Sequence, residues 1–149
     1  MSSAEQAKLA GSGVRRLALG TVQFGLAYGV ANSNGQVPQE TARSMLKFAA
    51  KEGIDMVDTA IGYGDSEQVL GKIGMEGIKI VSKLTPLPTS VTDAYAWALT
   101  EVEASLARLA VDQIYGLLLH RSADLSGPNG AALYLAMREL QQVGKVQKI

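Results

Sequence analysis

An α/β fold of the (β/α)8, TIM-barrel type is predicted by three observations. Short apolar runs alternate with helix-period segments in the order β-α-β-α-β-α-β-α-β. The runs are continuously apolar, as in parallel strands covered by helices. Four reactive side chains, Asp58, Tyr63, Lys83 and His120, stand at or just past the ends of successive runs, where barrels of this kind keep their chemistry. Only the first four β/α units and the start of strand five are present. Since an eight-unit barrel takes about 250 residues, the 149 residues read as its N-terminal half.

Each element has its own signal. Residues 1–13 (MSSAEQAKLAGSG) lack the long apolar core of a signal peptide and read as a flexible, solvated leader, with 14–149 as the half-barrel. Residues 14–20 (VRRLALG) are strand one, and Gly25, Gly29 and the 32–35 stretch after it read as loop. Pro38 suits a first helical position. Ala42, Met45, Leu46 and Ala49 share a face before Gly53 closes the first helix. Residues 55–59 (DMVDT) are strand two, and 66–71 (SEQVLG) open a second helix with Ser66 as its cap. Residues 78–83 (IKIVSK) are strand three, stopped by Pro86 and Pro88.

Residues 89–109 carry the strongest helical pattern, with Ala98, Leu99, Val102, Leu106 and Leu109 on one stripe and Glu101, Glu103 and Arg108 elsewhere around it. Residues 114–120 (IYGLLLH) are strand four and 127–130 a turn. The fourth helix covers 131–144, with Leu133, Ala136, Leu140 and Val143 on one face, and 146–149 begin strand five. A doubly wound sheet shares this order but needs a phosphate-cradling turn after strand one. Gly20, Gly25 and Gly29 fit neither GxGxxG nor a Walker loop.

Composition narrows the function. With 47% hydrophobic residues the chain can bury a core, and no stretch is long and apolar enough to span a membrane. Fourteen basic residues balance fourteen acidic ones, and no basic cluster with interleaved aromatics tracks a nucleic-acid backbone. There is no cysteine and one histidine, which excludes disulfides and the usual zinc constellations, so no metal is expected. An intracellular, cytoplasmic protein is the expectation.

The four reactive residues supply complementary parts. A phenol releases its proton near about pH 10, too high for ready transfer at neutrality. A neighbouring ammonium favours phenolate, a carboxylate holds that ammonium in place, and an imidazole can orient a carbonyl oxygen. Strand parity points Asp58, Lys83 and His120 to one side at one end of the sheet, with Tyr63 on the loop above. Singly, each has a plain explanation: a cap, a half-buried aromatic, a solvated strand end. Jointly they read as a catalytic constellation.

The stretch 58–71 (DTAIGYGDSEQVLG) resembles the aldo-keto reductase signature. Gly20-Thr21, Ser82-Lys83 and Leu118-Leu119-His120 accompany it in the family's order. The resemblance implies NAD(P)H-dependent reduction of an aldehyde or ketone to an alcohol, usually with NADPH and in some members with NADH. Tyr63 would be the proton donor, tuned by Lys83 and Asp58, and His120 would position the carbonyl of a small-molecule substrate. Gly20, Thr21, Val22 and Asp58 would lie on the cofactor side, although Val22 replaces an aromatic residue common there. The family's remaining cofactor groups come mainly from strands five to eight, so this chain alone is expected to be inactive.

Two other readings stay open. One is a non-catalytic half-barrel that self-associates, or pairs with a partner chain, through open sheet edges. The other makes Lys83 a Schiff-base lysine in an aldolase-like barrel. That needs burial to strip its charge, which Asp58 would oppose.

Overall fold

The computed structural model describes residues 17–149. Five strands, β1 (Leu19–Gly20), β2 (Met56–Asp58), β3 (Lys79–Leu84), β4 (Ile114–Leu119) and β5 (Val146–Lys148), form one sheet in the order β1-β2-β3-β4-β5. All four pairings are parallel. An order without reversal is the barrel's progression. A doubly wound sheet would turn back at a switch point.

Six helices intervene: α1 (Val22–Gly25), α2 (Gln39–Lys51), α3 (Ser66–Ile73), α4 (Ala94–Leu109), α5 (Ala123–Ser126) and α6 (Gly130–Gln142). Among the described residues none is long and apolar enough to cross a membrane. The strand-period alternation is clearest in β3, where Ile80, Ser82 and Leu84 are buried while Val81 and Lys83 on the other face are only partly covered. Val57, Ile80 and Leu117 lie in the core with Ala98, Val102, Leu106 and Leu109 of α4 and Ala136, Met137 and Leu140 of α6. Each buried leucine contributes about 1.5–3 kcal/mol, so this layer fixes β3 and β4 firmly enough to aim their carboxyl-terminal side chains.

Several expectations are corrected. Strand one is only Leu19–Gly20 among the described residues, and residues 14–16 of the expected run lie outside them. Its register, Leu19 with Val57 and Gly20 with Asp58, leaves no further ladder partner, because Thr21 leads directly into α1. That short helix replaces the expected loop start. Likewise α5 occupies residues just before the expected 127–130 turn.

Pro38 is the residue preceding α2 rather than its first member, and its carbonyl accepts from Ala42 N at 3.0 Å. Met45 and Val143 are exposed at 40% and 57%, outside the stripes that their spacing suggests. The helix expected over 89–109 starts at Ala94, because the Asp93 side chain accepts from Ala96 N and caps it there. It ends at Ala110, whose φ of 55° is left-handed, the conformation that commonly closes helices.

Candidate active site

The structure brings Asp58, Tyr63, Lys83 and His120 together at the carboxyl-terminal end of the sheet. Asp58 is in register with Val81, so Lys83, two residues further along β3, shares its face. Lys83 is in register with Leu118, which puts His120 on that face as well. His120 lies just past β4, its backbone N–H donating to the Leu84 carbonyl at 3.0 Å.

Lys83 is the hub. Its Nζ lies 2.5 Å from Asp58 Oδ1, donates to the Thr59 carbonyl at 2.8 Å and reaches Tyr63 Oη at 3.4 Å. The ammonium has three protons and three such contacts. The same Nζ sits 4.9 Å from the centroid of the Tyr63 ring, within cation–π range. The Lys83 side chain is 14% exposed and that of Asp58 38%. The pair is therefore shielded on the lysine side and open to solvent on the carboxylate side. The Tyr63 and His120 rings meet edge to face, centroids 5.6 Å apart at 87°.

Tyr63 is held by its loop. Its backbone N–H donates to the Ala60 carbonyl, and its carbonyl accepts from Ser66 N at 3.1 Å, at the start of α3. A Cβ built on Gly25 would lie 1.8 Å from the Tyr63 carbonyl oxygen and 2.3 Å from Ser66 N. Gly64, at φ 55°, faces Gly25 from the other side. This close approach of two backbones needs glycine at both positions. Gly25→Ala is expected to destabilise the fold by about 1–3 kcal/mol, as overpacking does, and to push the Tyr63 loop away from Lys83. Urea unfolding measures the first effect.

The residues expected on the cofactor side divide. Gly20 is open, with nothing within 4 Å of a Cβ placed there. Val22 is partly buried in α1. The Thr21 hydroxyl is enclosed and already used, donating to the Asp58 carbonyl at 3.0 Å while Ser66 Oγ lies 2.9 Å from it. Ser66 is therefore not the cap of α3. It is fully buried, and its hydroxyl also stands 2.9 Å from the Thr21 carbonyl and 3.1 Å from Thr59 Oγ1.

Glu67 is a residue that sequence reasoning misses. It is 1% exposed on the covered side of the sheet, paired with Arg108, which does not stand apart from the packed face as its spacing suggests. An acidic residue beside the apolar Val69 and Leu70 is the available signal. Two grooves lie elsewhere. One of about 650 Å³ is lined by Asp55, Glu76 and Lys79 at the opposite end of the strands, and one of about 640 Å³ lies under the 29–38 loop. Neither gathers groups as complementary as the four above, so geometry and chemistry favour the strand ends over these hollows.

Comparison with known proteins gives the family. Residues 16–149 match the family model for the aldo/keto reductase family. An assigned aldo-keto reductase from Pseudomonas aeruginosa superposes with a TM-score of 0.71 at 32% identity, covering 87% of this chain and 52% of its own. An aldo-keto reductase from Klebsiella pneumoniae, solved in complex with NADPH, gives 0.64 at 26% identity, covering 87% and 42%. One from Brucella melitensis gives 0.61 at 25%, covering 89% and 45%. The fold is that of an α/β barrel segment. The chain belongs to the aldo/keto reductase family and spans about half the length of these relatives.

Proposed function

We propose that this chain carries the proton-donating half of an NAD(P)H-dependent reductase that converts a small aldehyde or ketone to an alcohol. The observation that carries the reading is the contact of one ammonium, Lys83 Nζ, with both Asp58 and Tyr63 Oη. Tyr63 Oη holds the proton destined for the carbonyl oxygen. Lys83 stabilises the phenolate left behind, Asp58 keeps the ammonium in place, and His120, packed edge-on against Tyr63, orients the carbonyl. The nicotinamide, when bound, supplies the hydride to the carbonyl carbon.

The residues present suit that cofactor. Gly20 leaves an open approach beside the strand end that carries Asp58, its register partner, so a flat ring can come close to the backbone there. Val22 adds a partly buried apolar surface next to it. Thr21, its hydroxyl engaged, braces the strand end that offers these surfaces. NADPH is the expected donor, as in the Klebsiella structure, and NADH would use the same hydride chemistry.

A fluorescence titration with NADPH on a complete barrel containing this segment tests the reading. Saturable binding followed by carbonyl-dependent oxidation is expected, and absence of binding removes the assignment. The 149 residues by themselves are expected to show no turnover, because they match only about half of each relative. The competing reading, pairing of open strand edges with another chain, draws on β1 and β5 each having one ladder neighbour among the described residues and on Leu118 being 43% exposed. Sedimentation as a monomer of 15.7 kDa contradicts it.

A further inference from the structure

Two consecutive residues in the first turn of α3 reach in different directions. Ser66 turns toward the ends of β1 and β2, where its hydroxyl meets Thr21 and Thr59. Glu67 turns toward β3 and α4. Its Oε1 accepts from Ser82 Oγ at 2.8 Å and Ser105 Oγ at 2.7 Å. Its Oε2 accepts from Arg108 Nε at 2.8 Å, with Arg108 Nη2 at 2.7 Å. One enclosed carboxylate thus ties three elements together.

Ser82 and Lys83 are consecutive on β3 and face opposite sides of the sheet. The tie from Glu67 to Ser82 therefore ends directly behind the lysine. At its other end, α3 is bonded to the Tyr63 carbonyl through Ser66 N.

We propose that Glu67 is a positioning residue for the proton donor. It fixes α3, and with it the loop that presents Tyr63, against the piece of β3 that carries Lys83. The inference rests on reading Tyr63 as the donor. An enclosed ion pair costs desolvation that an apolar side chain of similar size avoids, and what it supplies instead is direction. Direction matters here because the contact from Lys83 Nζ to Tyr63 Oη, at 3.4 Å, is the longest of the three that Nζ makes. A shift well under an ångström removes it. Reacting groups in catalysis tolerate little more.

The chain's one histidine provides the reporter. His120 packs edge-on against Tyr63, and its Cε1 faces Gly62 in the same loop, 4.0 Å from a Cβ placed there. Its Cε1–H proton resonance senses the Tyr63 ring without any turnover, and Tyr63→Leu marks the resonance position when that ring is gone. Glu67→Gln and Ser82→Ala are each expected to move the resonance part of the way toward the Tyr63→Leu value. Ser105→Ala removes one of the two ties to α4, the Arg108 pair remaining, and keeps the tie to β3, so it is expected to leave the resonance in place.

The proposal is overturned if Glu67→Gln and Ser82→Ala lower the melting temperature yet leave the His120 resonance unmoved. It is equally overturned if Ser105→Ala moves the resonance as far as Ser82→Ala does. Should Glu67→Gln fail to fold, Ser82→Ala against Ser105→Ala decides alone. Shifts as expected, together with full turnover by Tyr63→Phe in a complete barrel, refute the donor reading and leave the loop-fixing role standing.

Discussion

Tyr63→Phe in a complete barrel is expected to lower carbonyl reduction by about 10²–10⁴-fold, the range attached to loss of a positioned proton donor, while NADPH affinity stays unchanged. The substitution removes one oxygen atom and keeps the ring. The edge-to-face packing with His120 at 5.6 Å and the stacking of Lys83 Nζ over the ring at 4.9 Å both involve ring atoms that phenylalanine retains. The loop is fixed through backbone groups of Tyr63, which do not change. What disappears is the 3.4 Å approach of Lys83 Nζ to Oη. Stability and cofactor binding should therefore barely move, and the effect should fall on the chemical step. Steady-state oxidation of NADPH, paired with a binding titration, separates the two. Retained turnover would take Tyr63 out of the donor role.

The difference between local and distant information also explains what is legible in the chain. Strand order and the shared face of Asp58, Lys83 and His120 follow from apolar runs and period-two alternation, which are local properties of residues 55–59, 78–83 and 114–120. The signature stretch 58–71 is equally local. The four-residue helices α1 and α5 are not legible, since one turn is too short to show a period. Met45 and Val143 have the composition of core residues, and spacing alone does not tell a stripe's edge from its centre.

Ser66 shows a deeper limit. Serine before an apolar run is an ordinary helix cap, but here Thr21, 45 residues earlier, supplies a better partner for the hydroxyl. Glu67 is the same case with three partners, Ser82, Ser105 and Arg108, at separations of 15, 38 and 41 residues. Such ties exist only once the sheet has assembled. The candidate reactive groups can be named from the chain, whereas the residues that hold them in place need the fold.

Lys83→Met tests the hub itself and is expected to reduce turnover by about 10²–10³-fold, as removal of a preorganised charge does. Methionine keeps the unbranched stem in a position that is 14% exposed, so packing survives. The Asp58 carboxylate and the Thr59 carbonyl are left without this donor together, at a stability cost of about 1–3 kcal/mol. The outcome also bears on the Schiff-base alternative. An ammonium held at 2.5 Å by a carboxylate is no nucleophile, so borohydride in the presence of a carbonyl compound should trap no adduct on the unmodified protein. Combining Lys83→Met with Tyr63→Phe sharpens the test. If the lysine acts on the reaction through the Tyr63 hydroxyl, the double variant should be scarcely slower than Tyr63→Phe alone, because residues that work as a unit are non-additive. Effects that multiply would mean that Lys83 reaches the substrate or cofactor by a route of its own and does not act by stabilising the Tyr63 phenolate.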